Sequence, residues 1–183
     1  MTGSYTPTLL GHAILGLLNQ EARSGHAVRK VFEQTAMGHF SSSPGAIYPA
    51  LRRLSGEALV ERVRVPGKPA ARASVYRLTR RGRAALRRWL RRPITRDDVI
   101  REDTLLLRFA FMAETVSVAE QRRFLEELKV AVDDYAEELE AFRKEHAAGM
   151  ALAARATFEH GIELYRCHSS WAARTLARLR EVS

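Results

Sequence analysis

The chain has 183 residues, 46% of them hydrophobic, and carries a formal net charge of +9 at pH 7. This length and apolar content allow one domain or two small ones with a buried core, so disorder is excluded as the default state. The single cysteine, Cys167, excludes an intrachain disulfide and fits a reducing compartment. The N-terminus lacks the basic segment of a signal peptide, and its apolar run is too short for a membrane span. We therefore expect a cytoplasmic protein without a membrane partner.

The charge is divided unequally along the chain. Residues 1–96 hold 18 basic and 4 acidic side chains, a net charge of +14, whereas residues 97–183 hold 12 and 17, a net charge of −5. A basic half beside an acidic half indicates that the first half meets a polyanion such as nucleic acid. The alternative is a basic surface that only keeps the protein soluble.

Two helices are predicted at the start of the chain. Apolar residues at helical spacing predict the first over about residues 8–19. Ser24 is a suitable N-cap for the second, which has an apolar stripe ending at Phe32. The second helix is therefore short.

The third predicted helix contains a proline in an unexpected place. Ser43 is a suitable N-cap, and Pro44 fits the first helical position. Pro49 then falls at the sixth position, where it removes a backbone hydrogen bond at a cost of about 3 kcal/mol. The apolar face of this helix is formed by Ile47, Leu51, Leu54 and Ala58.

Residues 59–79 predict a β-hairpin. "LVERVRV" alternates apolar and charged residues, "PGKPAARA" has the composition of a turn, and "SVYRLT" follows as a second strand. Thr79 then caps a helix that runs to Pro93. Three helices, a hairpin and a closing helix, in this order, predict a winged helix-turn-helix over residues 1–92.

The remainder of the chain predicts helices only. Residues 93–104 are polar and indicate a boundary, and 105–183 form an all-α second domain. Its apolar residues recur three and four positions apart, as in a helix-packing seam. Such a seam packs within one chain or against a second copy. We assign dimerisation to the following residues on two predicted helices: Leu125, Leu128, Val132, Tyr135, Leu139, Phe158, Ile162, Tyr165 and Leu176.

The face of the third helix opposite its apolar residues carries Gly45, Tyr48, Pro49 and Arg52. Tyr48 and Arg52 are four positions apart, so they lie side by side on the helix surface. In a helix-turn-helix, the second helix of the pair enters the major groove with its N-terminal residues nearest the bases. Arginine pairs with guanine edges, and hydroxyls more often hold phosphate.

Three segments in this order resemble the PadR family of bacterial transcriptional regulators: "AILGLLNQEARSGHAVRKVFEQ", "SPGAIYPALRRLSGEALVE" and "VYRLTRRGRAAL". The resemblance covers about residues 8–92. It implies a homodimer that binds a pseudo-palindromic operator, usually as a repressor released by a small aromatic or hydrophobic effector. On the matching positions it places Ser43, Gly45, Tyr48, Pro49 and Arg52 against DNA. The hairpin departs from the family pattern, so that Lys68 and Arg72 are its remaining DNA contacts.

Other functions have less support in the sequence. Trp89, Phe109 and Trp171 are candidates for an effector pocket, although core packing is the commoner role of such residues. His160, Glu163 and Cys167 share a helix face but have no supporting ligand cluster, and no catalytic motif is present. We therefore expect no metal, no cofactor and no enzymatic activity. The alternative to a DNA-binding regulator is a winged-helix module that binds proteins.

Overall fold

The computed structural model describes residues 5–35, 37, 44–64, 74–101 and 103–181. It confirms the predicted fold class, which is mainly helical with one antiparallel hairpin. The elements are α1 Leu9–Gln20, α2 Gly25–Gln34, α3 Ile47–Gly56, β1 Val60–Arg64, β2 Ser74–Leu78, α4 Arg80–Arg91, α5 Arg96–Ile100, α6 Asp103–Ala110, α7 Val118–His146 and α8 Leu152–Glu181. Within the described residues, none of these helices combines the length and apolar character needed to cross a membrane.

The chain divides into two compact units. The first contains Met1–Arg92 and Leu106–Thr115, and the second contains Pro93–Leu105 and Val116–Ser183. The sequence places the whole of 105–183 in one domain, whereas the structure groups a ten-residue part of it with the winged-helix segment.

Contacts inside the first unit explain this grouping. Arg108 is fully buried, and its guanidinium donates hydrogen bonds to the carbonyl oxygens of Leu90, at 3.1 Å, and of Arg92. These bonds satisfy carbonyl groups at the end of α4 that have no partner inside the helix. Gly16 of α1 lies under the ring of Phe111, because a methyl group at Gly16 would stand 2.4 Å from that ring.

Local chemistry fixes the helix starts of the first unit. Thr8 accepts a hydrogen bond from the amide of Gly11, and Ser24 accepts one from the amide of Ala27. Thr79 does the same at the start of α4. The predicted caps Ser24 and Thr79 are therefore confirmed, because each hydroxyl satisfies an amide that has no intrahelical partner.

The third helix differs from its prediction at both ends. Pro44–Ala46 form a 3-10 turn, and the α-helix begins only at Ile47. Pro49 is thus the third helical residue, where a missing N–H costs no intrahelical bond. The prediction that Pro49 interrupts the helix interior was wrong. Ala58 does not belong to the apolar face either, because α3 ends at Gly56 and Ala58 lies beyond it, exposed, with φ of +53°.

The hairpin is tied to its surroundings on both sides. β1 and β2 pair antiparallel, with Val60 opposite Leu78 and Arg64 opposite Ser74. The segment before α2 adds one further bridge, since Arg23 and Tyr76 exchange backbone hydrogen bonds of 3.1 and 2.8 Å. This bridge holds the start of the second helix beside the hairpin.

Gly82 has no room for a side chain. A methyl group there would lie 1.9 Å from the carbonyl oxygen of Leu59, which precedes β1. The glycine of the "YRLTRRG" segment therefore allows α4 to pack directly against the start of the hairpin. Thr79 supports the same junction by donating a 2.7 Å hydrogen bond to the carbonyl of Ala58.

The second unit is built on a hairpin of two long helices. Rings of Tyr135 and Tyr165 meet edge to face at 4.8 Å, and those of Phe142 and Phe158 stack at 5.6 Å. Because residues late in α7 meet residues early in α8, the two helices run antiparallel. Near the turn, Arg143 contacts carboxylates on both helices, Glu140 at 2.6 Å and Glu159 at 3.4 Å.

The short helix α5 packs against α7 in the same unit. Thr95 and Asp98 form a capping box, in which each side chain accepts from the backbone amide of the other. Arg96 then lies over the ring of Tyr135 at 4.9 Å and reaches Glu138 at 2.6 Å. The polar segment predicted as a boundary therefore contains an ordered helix.

Candidate nucleic-acid interface

The exposed face of α3 is positioned by the buried face of the same helix. Ile47 and Leu51 have no exposed surface, which fixes the rotation of the helix on the core of the first unit. Tyr48 and Arg52 point away from that core, and Tyr48 keeps 41% of its surface exposed. Gly45 is exposed as well, and Pro49 is partly exposed. The structure therefore brings these four predicted residues onto one surface.

The start of α2 holds the tyrosine ring in place. A methyl group at Gly25 would lie 2.8 Å from Cε1 of Tyr48 and 3.4 Å from Cδ1 of Leu51. The ring of Tyr48 thus rests on the backbone of α2, where no larger residue than glycine fits. The hydroxyl end of Tyr48 remains available to a ligand.

Four exposed arginines of α3 and β1 have no acidic partner among the described residues. Within the described residues, no carboxylate lies within 4.0 Å of Arg52, Arg53, Arg62 or Arg64, and all four side chains are exposed. Arg77, by contrast, is paired with Glu61 across the hairpin at 2.7 Å. Unpaired guanidinium groups favour an anion, because phosphate accepts two hydrogen bonds from one arginine.

The backbone adds to this preference. Helix α3 begins at Ile47, and its N-cap residue Ala46 makes no side-chain hydrogen bond to the helix. The N-terminal end of a helix carries a partial positive charge, and uncapped amides there bind anions. The first turn of α3, with Tyr48 and Arg52, is therefore suited to a polyanion.

Some predicted contacts lie outside the described residues, namely Ser43, Lys68 and Arg72. Sequence reasoning missed Arg53, Arg62 and Arg64. The signal for the last two was present, since the alternation of "VERVRV" places both arginines on one face of β1. Arg53 needed the exact rotation of α3, which the apolar pattern alone does not fix.

The residues assigned to dimerisation fill the interior of the α7–α8 hairpin. Leu125, Leu128, Val132, Ile162 and Leu176 are buried within the single chain. The remaining members of the set lie at the contact between α7 and α8 of the same chain or at the edge of that contact. Packing within one chain accounts for the burial of these five side chains. Their assignment to dimerisation stays a prediction.

The three effector-pocket candidates have different surroundings. Trp89 is only 7% exposed and stacks on the ring of His12, with the ring centroids 4.5 Å apart. It packs in the core of the first unit, and its assignment to an effector pocket stays a prediction. Phe109 and Trp171 are partly exposed, one in each unit.

The hairpin of helices α7 and α8 also carries an open groove of about 590 Å³. None of these three aromatic residues lines the groove. Its walls are formed by Leu139, Ala153, Ala154, Thr157, Phe158 and Gly161. Within the described residues, no group of three or more His, Cys, Asp or Glu side chains is placed to hold a metal ion.

The chain is similar to the crystal structure of the PadR-like transcriptional regulator BC1756 from Bacillus cereus, with 23% sequence identity over 95% of this chain and 99% of that chain and a TM-score of 0.42. It is also similar to Bacillus subtilis PadR in complex with operator DNA, with 22% identity over 94% of this chain and 99% of that chain and a TM-score of 0.42. A third similar structure is Bacillus subtilis PadR in complex with p-coumaric acid, with 21% identity over 94% of this chain and 99% of that chain and a TM-score of 0.41. No curated protein matches the chain. The sequence profile of the transcriptional regulator PadR-like family matches residues 14–88. Residues 14–88 therefore resemble the PadR-like family of transcriptional regulators, and the resemblance predicted from the sequence motifs is confirmed.

Proposed function

We propose that the protein is a sequence-specific regulator of transcription that binds duplex DNA through the first turn of α3. The observation that carries the proposal is the exposed face of Tyr48 and Arg52, together with three further exposed arginines of α3 and β1 that have no acidic partner among the described residues. An aromatic ring, a hydroxyl and unpaired guanidinium groups on a helix of the right size fit the major groove.

The groups on this surface have different roles in DNA recognition. Arg52 lies on the helix face that enters the groove, where a guanidinium reads the acceptor atoms of guanine. Arg62 and Arg64 lie on β1, and their charges hold the phosphate backbone. Ser43, Lys68 and Arg72, from the family resemblance, complete the proposed contact set.

We extend the proposal to a homodimer, because a pseudo-palindromic operator needs two reading helices. Because packing within one chain already fills the first seam of the α7–α8 hairpin, we place the contact on another face of α8. Ala154, Thr157, Gly161 and Leu164 recur at spacings of three, four and three, and they are exposed or partly exposed. A methyl group at Gly161 would meet no atom within 4 Å, so a second helix has room to approach closely.

A footprint tests the central claim. The purified protein is incubated with the DNA upstream of its own gene, and protection is compared for the wild type, Arg52→Gln and Arg123→Gln. Arg123 is an exposed arginine of α7, so its replacement removes the same charge from a different surface. We expect protection by the wild type and by Arg123→Gln, and loss of protection with Arg52→Gln. No protection by the wild type, or equal protection by all three, favours a protein-binding module instead.

The regulatory direction is proposed from the family resemblance. We propose repression, with release by a small aromatic or hydrophobic effector. A reporter gene placed behind the same upstream DNA should be more active in cells that lack the protein. p-Coumaric acid serves as the aromatic probe, and it should reduce the footprint. A reporter that loses activity without the protein indicates an activator, and an unchanged footprint excludes this acid as the effector.

A further inference from the structure

The surface of α4 is formed almost entirely by arginine. Six of its twelve residues are exposed arginines, and the helix contains no acidic residue. They are Arg80, Arg81, Arg83, Arg87, Arg88 and Arg91, which we call the α4 arginine face. The opposite side, with Leu86, Trp89 and Leu90, is buried in the first unit. A surface that serves solubility alone usually mixes both signs of charge, which this helix does not.

Three of these six charges have no acidic partner among the described residues. Arg81 lies 4.0 Å from Glu57, and Arg83 donates a 3.1 Å hydrogen bond to the carbonyl of Leu78. Among the residues that the structure describes, no carboxylate lies within 4.0 Å of Arg80, Arg87 or Arg88. These three side chains are exposed and lack an ion-pair partner.

Several of the arginines occupy positions that are unfavourable for the helix itself. Arg80, Arg81 and Arg83 lie in the first turn, where the helix dipole disfavours positive charge. Arg83, Arg87 and Arg91 follow one another at intervals of four, and like charges at this spacing repel. Only Arg88 and Arg91 lie in the last turn, where the dipole favours positive charge, so helix stability accounts for part of the pattern and a bound polyanion would relieve both unfavourable effects.

The dimensions of the face fit a nucleic-acid backbone. From Arg80 to Arg91 the helix rises by about 16 Å at 1.5 Å per residue. One strand of duplex DNA carries a phosphate about every 3.4 Å along its axis, so about five phosphates pass within that length. Side chains of arginine are long and bind phosphate through two parallel hydrogen bonds.

We propose that the α4 arginine face is a second DNA-binding surface, which holds the phosphate backbone without reading sequence. It rests on the proposed function, since it adds affinity for the same kind of duplex that α3 recognises. Its partner is duplex DNA of any sequence. An anionic membrane is the competing partner for an arginine-rich helix.

The test compares two triple variants that remove equal charge. Arg80→Gln/Arg87→Gln/Arg88→Gln removes three of the six charges of the face, and Arg123→Gln/Arg174→Gln/Arg178→Gln removes three exposed arginines of α7 and α8. Affinity for a mixed-sequence 30-base-pair duplex is measured by fluorescence anisotropy from 50 to 200 mM salt. Circular dichroism checks that both variants are folded.

We expect the slope of log affinity against log salt to become shallower in the α4 variant by about 2 to 3 for each protomer bound to the duplex, at about 0.9 per lost phosphate contact. Over this fourfold salt range, the wild type then loses about 20- to 60-fold more affinity than the α4 variant for each bound protomer. The control variant should keep the wild-type slope. An unchanged slope in the α4 variant, or an equal change in the control, overturns the inference.

Two further results distinguish a failure of this inference from a failure of the proposed function on which it rests. The α4 variant should protect the same bases of the upstream DNA as the wild type, because Arg52 is intact. If the wild type protects no upstream DNA, the proposed function fails. If protection is normal but the α4 variant loses binding only to phosphatidylserine vesicles and not to DNA, the function stands and this inference fails.

Discussion

Pro49 lies in the first turn of α3, so its replacement should have a small effect on stability. An alanine there gains no intrahelical bond, while the unfolded chain gains conformational freedom. We expect Pro49→Ala to lower the free energy of unfolding by about 0.4–1 kcal/mol, measured by urea denaturation. A gain of about 3 kcal/mol would instead be the result for a proline inside the helix.

His12 makes the stability of the first unit depend on pH. Burial lowers its pKa to about 4, helped by the charge of Arg92 and opposed by the hydrogen bond to the carbonyl of Thr8. In the unfolded chain an ordinary histidine has a pKa near 6.5. Between these values the unfolded chain binds a proton that the folded chain does not, so stability falls as the pH is lowered through this window.

Replacement of His12 tests this dependence. At about 1.36 kcal/mol per unit, the lowered pKa corresponds to about 3 kcal/mol of stability lost between pH 6.5 and pH 4. His12→Phe keeps an aromatic ring against Trp89 and removes the titration. Chemical denaturation at several pH values should give a flatter profile for the variant. An equally steep loss of stability would show that other groups cause it.

At the scale of single elements, the end of α3 stores backbone strain. Ala58 has φ of +53°, a left-handed conformation that glycine adopts without cost, while the amide of Leu59 bonds to the carbonyl of Leu54 at 2.9 Å. We expect Ala58→Gly to raise the free energy of unfolding by about 0.5–1 kcal/mol, measured by thermal or urea denaturation. Ala84→Gly, at an exposed position inside α4, should lower it by a similar amount. Destabilisation by both variants would contradict the assignment of strain to Ala58.

The elements also show which parts of the structure local sequence can predict. Ser24 and Thr79 are predicted as caps because a hydroxyl before an apolar stripe acts through its nearest amides. The box of Thr95 and Asp98 was missed because α5 has five residues, too few for an apolar period. The start of α3 was misplaced because Pro44 suits a 3-10 turn as well as an α-helix.

The candidate site was predictable to the extent that it depends on element order. The order of helices and hairpin predicts α3 as the helix that reads DNA, and the apolar stripe of α3 leaves Tyr48 and Arg52 on the opposite, exposed face. The rotation that exposes Arg53 depends on the packing of the whole first unit. Apolar spacings of three and four residues are the same for long helices that pack within one chain and for those that pack between two chains. Only their burial places Leu125 and Ile162 in the interior of the single chain.

For the whole molecule, the proposed dimer places its contact on the second face of α8. Leu164 is 39% exposed on that face, and a carboxylate there would have to be desolvated in a dimer. We expect Leu164→Glu to sediment as a monomer at micromolar concentration and to bind the upstream DNA more weakly than the wild type. Val130→Glu, at an exposed apolar position of α7, is the matched control and should remain dimeric. Dimers of Leu164→Glu would place the contact elsewhere, and a monomeric wild type would remove the dimer.

The most direct test of the account is the preference of the protein for the upstream DNA over a mixed-sequence duplex of equal length, measured by competition at one fixed salt concentration. The wild type and Arg123→Gln should prefer the upstream DNA, and Arg52→Gln should lose about 1–3 kcal/mol of that preference while still binding both duplexes. Equal affinity of the wild type for the two duplexes, or an unchanged preference in Arg52→Gln, would contradict sequence recognition by α3.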